Sequence, residues 1–561
     1  MDIEKKIDEL QEIVSKYDTE SFAGFFSFFM KRHPDPAADI DLNKFGSKLK
    51  DFLYLIGLNV FSNQKGSEKL KFSNRDIGRL ADKLNQIKDF YYPKKISDYN
   101  HESILHEMAL RNHFDNGVLS YVEQDIEKLR RVFTPFEEII IEDFGFDINF
   151  LIEIGKEIEL ISMIKAKKQM SFMHSKEFVD FNNKIQFKKE SFSRSFGLLS
   201  EENQDAFHSF FSKTYAHLMF KAEELYNRLD AEKVGKFLSL FSCEPIPDAK
   251  VRYYTAENPF ELKPLLKFPN GNYLVLYGKQ IPISIYKLLY AHLFNDPNYN
   301  VKLRKHREKS LEQKVTEVFK TFFTQKEAFF YENYFVEKNY EQDLLIIYKG
   351  NAIIIEIKAS KLREPFRDVE KAVTRLKDDF KNSIQYGFEQ CLRVEDYFYD
   401  DKPFEITNEK GKVLYKINPS KIKYIFSIVV TLERFGSLQT DLGLLLQKDD
   451  DIEFPWCVYI DDLEVFLLAL KQNISNPTSQ FLNFLKLRRE MHGRMYSIDE
   501  LDVCASYLQS PKKFKMYSEA NDTYLTFSPY EQGDFDKLYW ANKLRFKENA
   551  LPDDFYRFGL R

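Results

Sequence analysis

Asp343, Glu356 and Lys358 stand at the ends of two apolar runs in the segment QDLLIIYKGNAIIIEIKAS (342–360). Both runs read as strands, and Lys349-Gly350-Asn351 between them reads as a turn. Side chains alternate along a strand, so Glu356 and Lys358 point to the same side. The turn folds the second strand back on the first, which sets Asp343 beside Glu356 and Lys358. Two carboxylates held this close repel each other unless a cation lies between them. A hard divalent ion meets that need by accepting carboxylate oxygens, waters and a backbone carbonyl, here that of Ile357. Such an ion lowers the pKa of a bound water and offsets charge on a phosphodiester, while an ammonium two residues beyond Glu356 holds the water. At an ordinary pKa of about 10.4, Lys358 is a poor base and needs the metal and low local polarity to be more than an electrostatic clamp.

The elements that must position these groups are legible around them. KSLEQKVTEVFKTFF (309–323) has the apolar spacing of an amphipathic helix. EAFFYENYFVE (327–337) reads as a strand ahead of the two already named. A helical stretch follows over roughly 367–398, broken near Asn382-Ser383, and KIKYIFSIVVTLE (421–433) is another strand. The order is α-β-β-β-α-β.

With Asp343, twelve intervening residues and then Glu356-Ile357-Lys358 inside that order, the chain resembles the PD-(D/E)xK nuclease superfamily over roughly residues 307–435. The resemblance implies a restriction-endonuclease-like core of mixed α/β character within a largely helical chain. It implies cleavage of DNA, or sometimes RNA, with Mg²⁺ and with Mn²⁺ as a substitute, the acids binding metal and the lysine serving the attacking water. Gln342, rather than proline, precedes Asp343, a departure at a variable position. The Glu-x-Lys pattern alone has little weight, since Glu312-Gln313-Lys314 also matches; spacing and context carry the resemblance.

Members of the superfamily often add a glutamate from the first helix. Leu311, Val315, Val318, Phe319 and Phe322 define the buried face of that helix, and Glu312 lies roughly 60° from its centre whereas Glu317 lies nearly opposite. Glu312 is therefore the candidate fourth acid, against the alternative of an ordinary surface glutamate. Arg363, Arg367 and Lys371 follow the third strand and are candidates for phosphate contact, against a solvated helix start. Helices of the superfamily at this place sometimes present a glutamine to the site, and Gln385 and Gln390, in the second half of the helical stretch, are the candidates, Gln385 as a nucleic-acid contact. A break at Asn382-Ser383 turns Gln385 inward with Phe388 and Leu392, and a continuous helix turns it away. VKLRKHREK (301–309), with five Lys/Arg against one Glu, is either a backbone contact or a solvated linker. LKLRRE (485–490) reads as a charged helix face.

Four regions are expected: helices over 1–235, a small β-containing bridging module over 236–300 with a hairpin at Asn270-Gly271, the nuclease-like core over 301–470, and a helical extension over 471–561. With 561 residues, 43% of them hydrophobic and 54 of them phenylalanine, the chain has ample material for buried cores. A net charge of −5 means that nucleic acid must be met by local basic patches. Cys243, Cys391, Cys457 and Cys504 form no CxxC pair, which disfavours a zinc knuckle or disulfide framework and suits reduced thiols in a cytoplasmic protein. The N-terminal residues do not read as a signal peptide, and no apolar run approaches a membrane span. There is no GxxxxGK[ST] or GxSxG sequence, and the ten histidines lack metal-site spacing.

The function expected from these readings is a metal-dependent nuclease, DNA preferred, in restriction or anti-phage defence. Nucleic acid is its expected partner, with a homo-oligomer and a phage or regulatory protein trigger as further candidates and no membrane. The alternatives are a degenerate nuclease fold acting as a nucleic-acid or protein-binding module, and an RNA-cutting toxin.

Overall fold

The hairpin that carries Asp343 and Glu356 is closed by two residues, Lys349 and Gly350, with φ of +46° and +75°. Two successive positive φ values give a turn whose twist matches that of paired strands, and glycine takes the second at no steric cost. Tyr348 therefore pairs with Asn351, and the register runs on to Leu344 opposite Ile355. In the computed structural model, residues 3–30, 42–70, 73–91, 101–114, 120–247, 249–324, 326–336, 340–366, 368–473, 475–520, 522–528 and 532–552 are described.

The chain divides into two compact units, the first of residues 1–94 and 114–295, the second of 95–113 and 296–561. The first unit is mainly helical. It also holds a four-stranded sheet made from Met219–Lys221, Asn272–Val275, Leu265–Lys267 and Ser242–Cys243, in that spatial order. The Asn270-Gly271 hairpin joins two of these strands, with Gly271 at φ +80°. The bridging module read from the sequence thus groups with the helices before it. The helix His101–Phe114 groups instead with the second unit, where His106 lies 3.4 Å from Glu370.

The second unit is built around a seven-stranded sheet. Its elements in chain order are α1 (Asn300–Phe322), β1 (Ala328–Phe335), β2 (Glu341–Tyr348), β3 (Asn351–Lys358), α2 (Val369–Phe380), α3 (Tyr386–Tyr399), β4 (Phe404–Thr407), β5 (Val413–Ile417), β6 (Tyr424–Thr431), β7 (Trp456–Tyr459) and α4 (Ile460–Asn473). The spatial order is β7-β6-β3-β2-β1-β4-β5, with β3, β6 and β7 parallel and the others antiparallel. β3 is central and buried from Ala352 to Ile357, which explains its unbroken apolar run. On one face, Leu345, Ala352 and Ile354 pack with Cys391, Val394 and Phe398 of α3. On the other, Phe323 at the end of α1 meets the ring of Tyr348. The β4–β5 hairpin, inserted between α3 and β6, was not read from the sequence; only Ile406 and Ile417 of it are buried, and both join the α3 core.

Two charged stretches differ from expectation. Residues 301–309 are the first turns of α1 rather than a linker, and Arg307 is buried, donating to the Ala359 carbonyl and to Glu433. Arg488, read as part of a charged helix face, is 1% exposed and bonds Glu500 through both Nε and Nη2. All four cysteines are buried free thiols. Among the described residues no helix is long and apolar enough to cross a membrane.

Candidate active site at the open end of the hairpin

Beyond the Leu344–Ile355 pair the hairpin strands part, and Asp343 and Glu356 face one another at the gap. Asp343 Oδ2 accepts from the Ile357 amide at 2.6 Å, and the Asp343 amide donates to Glu356 Oε1 at 3.4 Å. The Lys358 ammonium lies 3.0 Å from Glu356 Oε2 and 3.8 Å from Asp343 Oδ2. Glu356 is fully buried, while the side chains of Asp343 and Lys358 are 22% and 11% exposed, so the cluster opens to solvent on the Asp343 side.

Helix α3 completes the setting. Gln390 Oε1 accepts from Lys358 Nζ, and the ammonium sits 5.3 Å from the centre of the Tyr386 ring. Gly387 gives the lysine room: a Cβ there would stand 3.0 Å from Lys358 Cε and 3.0 Å from Val429 Cγ1. From α1, the half-buried Glu312 feels the Asp343 carboxylate and the Lys358 ammonium. Its pKa is raised, first by burial and then by Asp343, Glu341 and Glu308, with Lys358 opposing.

Strand β1 adds a residue the sequence did not reveal. Asn333, opposite Asp343, has φ +48° and makes no ladder pair there, whereas Glu332 and Tyr334 on either side of it do. Asparagine tolerates this left-handed conformation better than most residues. Tyr334 packs with Leu345, Ile354 and Cys391, on the same face as the carboxylates. It is fully buried, and its hydroxyl has no hydrogen-bond partner among the described residues.

The electrostatics follow from this crowding. Burial, then the neighbouring Asp343 charge, pushes the Glu356 carboxyl up to about 8 despite the pull of Lys358. Burial disfavours the Lys358 ammonium, but Glu356 and Asp343 outweigh it and its pKa is raised. Lys358 therefore stays charged at neutral pH, and Glu356 holds a proton until more positive charge arrives.

Among the described residues no three His, Cys, Asp or Glu side chains are arranged as a ready metal centre. What converges is two carboxylates with one ammonium beside them. This set suits a hard cation held by one or two carboxylates that keeps several of its waters, as Mg²⁺ does. It does not suit a metal that seeks thiolate or imidazole.

The other sequence candidates are placed differently. Arg363 is tied to Asp379, through Nε at 2.6 Å and its amide at 2.9 Å. Gln385 is buried, donating to the Gln447 carbonyl and accepting from the Gln447 amide. Lys371 is exposed at the start of α2, and Arg367 lies outside the described residues. Gln390, not Gln385, is the glutamine that reaches the cluster. No protein-family model, curated protein or solved structure matches the chain.

Proposed function

We propose that the second unit is a metal-dependent nuclease, hydrolysing phosphodiester bonds of DNA in preference to RNA. The observation that carries this reading is the contact of Asp343, Glu356 and Lys358, brought from two strands to one partly open edge of a buried sheet. The order α1-β1-β2-β3-α2/α3-β6 supports reading the unit as a restriction-endonuclease-like core, with β4–β5 as an insertion. Asp343 and Glu356 would hold Mg²⁺, or Mn²⁺ in its place, with Glu312 and the Ile357 carbonyl as further oxygen donors. Bound there, the cation supplies a water of lowered pKa and offsets charge on the phosphate.

The chain's own groups do the rest. Lys358, fixed by Gln390 and by its carboxylate neighbours, donates a hydrogen bond to the attacking water and favours its deprotonated form. The water oxygen bonds to phosphorus, and the ester oxygen leaves and takes up a proton. Restriction or anti-phage defence is the biological setting we assign by analogy with nucleases of this organisation.

The test is a side-by-side panel of plasmid, linear duplex, single-stranded DNA and RNA with Mg²⁺, Mn²⁺ or EDTA. Metal-dependent cleavage of DNA supports the reading, and cleavage of RNA alone moves it to the RNA-cutting alternative. Binding without cleavage of any substrate replaces it with the binding-module alternative.

A further inference from the structure

A cavity of about 430 Å³ on the first unit gathers positive charge along the helix Asn74–Lys88. Arg75, Gly78, Arg79, Asp82, Lys83 and Gln86 line it from one face of that helix, and Lys44 closes it from the preceding 3₁₀ turn. Lys83 is paired with Glu9 at 2.5 Å. Asp82 is the lone carboxylate among the described residues of the lining. Among the described residues no carboxylate lies within ion-pair distance of Lys44, Arg75 or Arg79.

The arrangement is not explained by stability. Arg75 and Arg79 occupy the first two turns of the helix, near its positive end, where a cation is disfavoured by the helix dipole. Gly78 lies between them on the same face, and a glycine inside a helix costs roughly 0.5–1 kcal/mol relative to alanine. Its effect here is spatial: a Cβ at this position would stand 3.3 Å from Lys44 Nζ. The Lys44 ammonium thus lies against the helix at Gly78, in the cavity that Arg75 and Arg79 also line. The Lys44 backbone is held there by the Asn85 amide, which donates to its carbonyl at 3.0 Å. Three cations are thus brought around one small cavity, with no paired acid among the described residues, in a chain of net charge −5.

We infer that this cavity binds phosphate groups, carried by a nucleotide or by a nucleic-acid strand, with Arg75, Arg79 and Lys44 as the contacting cations. Guanidinium forks match phosphate oxygens, and a polyvalent anion relieves the mutual repulsion of the three side chains. The inference concerns binding on the first unit and stands apart from the chemistry of the Asp343 cluster.

The experiment uses the full chain in EDTA, so that cleavage does not enter. Fluorescence anisotropy with a labelled DNA duplex is measured across a salt series, and ATP and inorganic pyrophosphate are titrated by calorimetry. The double variant Arg75→Ala/Arg79→Ala is compared with a control, Lys176→Ala/Lys188→Ala, which removes two exposed lysines of the same unit. We expect the first pair to weaken binding about tenfold or more, and for the duplex to lower the salt slope by about two. The control should stay near wild type. Loss confined to the duplex identifies a strand as the ligand, and loss for ATP or pyrophosphate identifies a nucleotide. Equal affinities of both double variants for all three probes, with melting temperatures unchanged, would overturn the inference.

Discussion

Glu356→Gln is the substitution whose consequence follows most directly from the geometry. In the folded chain the Glu356 carboxyl is raised from 4.5 to about 8, by burial and then by Asp343. The folded state therefore binds a proton that the unfolded state has released across the window from about 4.5 to 8. Stability from this group is present at low pH and is lost as pH rises through that window. Between pH 5 and pH 8 these two pKa values correspond to a loss of about 3–4 kcal/mol. Lys358 does not offset it, because its raised pKa contributes stability that is lost only in alkali. Glu312 is raised as well and adds to the same trend. Glutamine keeps the shape of the protonated acid and does not titrate. In EDTA, then, urea denaturation of the wild type should show the second unit weakening from pH 5 to pH 8. Glu356→Gln should be much less sensitive to pH and the more stable of the two at pH 8. Mg²⁺ should restore wild-type stability most strongly at the alkaline end, because the ion takes the carboxylate and not the acid. A wild type that strengthens with pH, or a Glu356→Gln variant weaker at pH 8, would mean that the Lys358 ion pair outweighs burial and that the reasoning has the wrong sign.

Lys358→Ala should fold and lose about a hundredfold or more in cleavage rate, read from a supercoiled-plasmid time course. Asp343→Asn should bind Mg²⁺ more weakly by calorimetry; unchanged affinity there and in Glu356→Gln would remove the shared site. Gly387→Ala should cost about 1–3 kcal/mol in denaturant titrations, because a methyl group meets Lys358 and Val429 at 3.0 Å, and should also lower cleavage by displacing the lysine. Tyr334→Phe removes a buried hydroxyl that has no partner among the described residues, so thermal unfolding should show equal or higher stability, by up to about 1 kcal/mol.

What the sequence disclosed, and what it hid, divides along sequence separation. Asp343, Glu356 and Lys358 could be placed together because a short hairpin and strict strand alternation fix their geometry locally. Glu312 could be chosen over Glu317 from the apolar face of a single helix. Gln385 and Gln390 could not be ordered, because a π-helical turn over Lys381–Gln385 inserts a residue between α2 and α3 and rotates the second half. That turn sends Gln385 to Gln447 and Gln390 to Lys358. Arg307 and Arg363, read as phosphate contacts or solvated charges, and Arg488, read as a solvated charge, gave no sign of their partners, because the groups that bury or tie them, Glu433, Asp379 and Glu500, are separated from them in the chain. The distortion at Asn333 left no trace in a run that reads as an ordinary strand, and β4 and β5 were hidden by their exposed, weakly patterned faces.

Asp343, Glu356 and Lys358 are proposed here to form a metal-dependent phosphodiesterase site. It is tested most directly by the rate of plasmid cleavage in Mg²⁺ for the wild type, Asp343→Asn and Lys358→Ala, each with its folded state verified by denaturation. The wild type should cleave in a manner that EDTA abolishes, and either variant should cleave little or not at all. Equal cleavage by all three proteins, or none by the wild type on any DNA or RNA with Mg²⁺ or Mn²⁺, would contradict it.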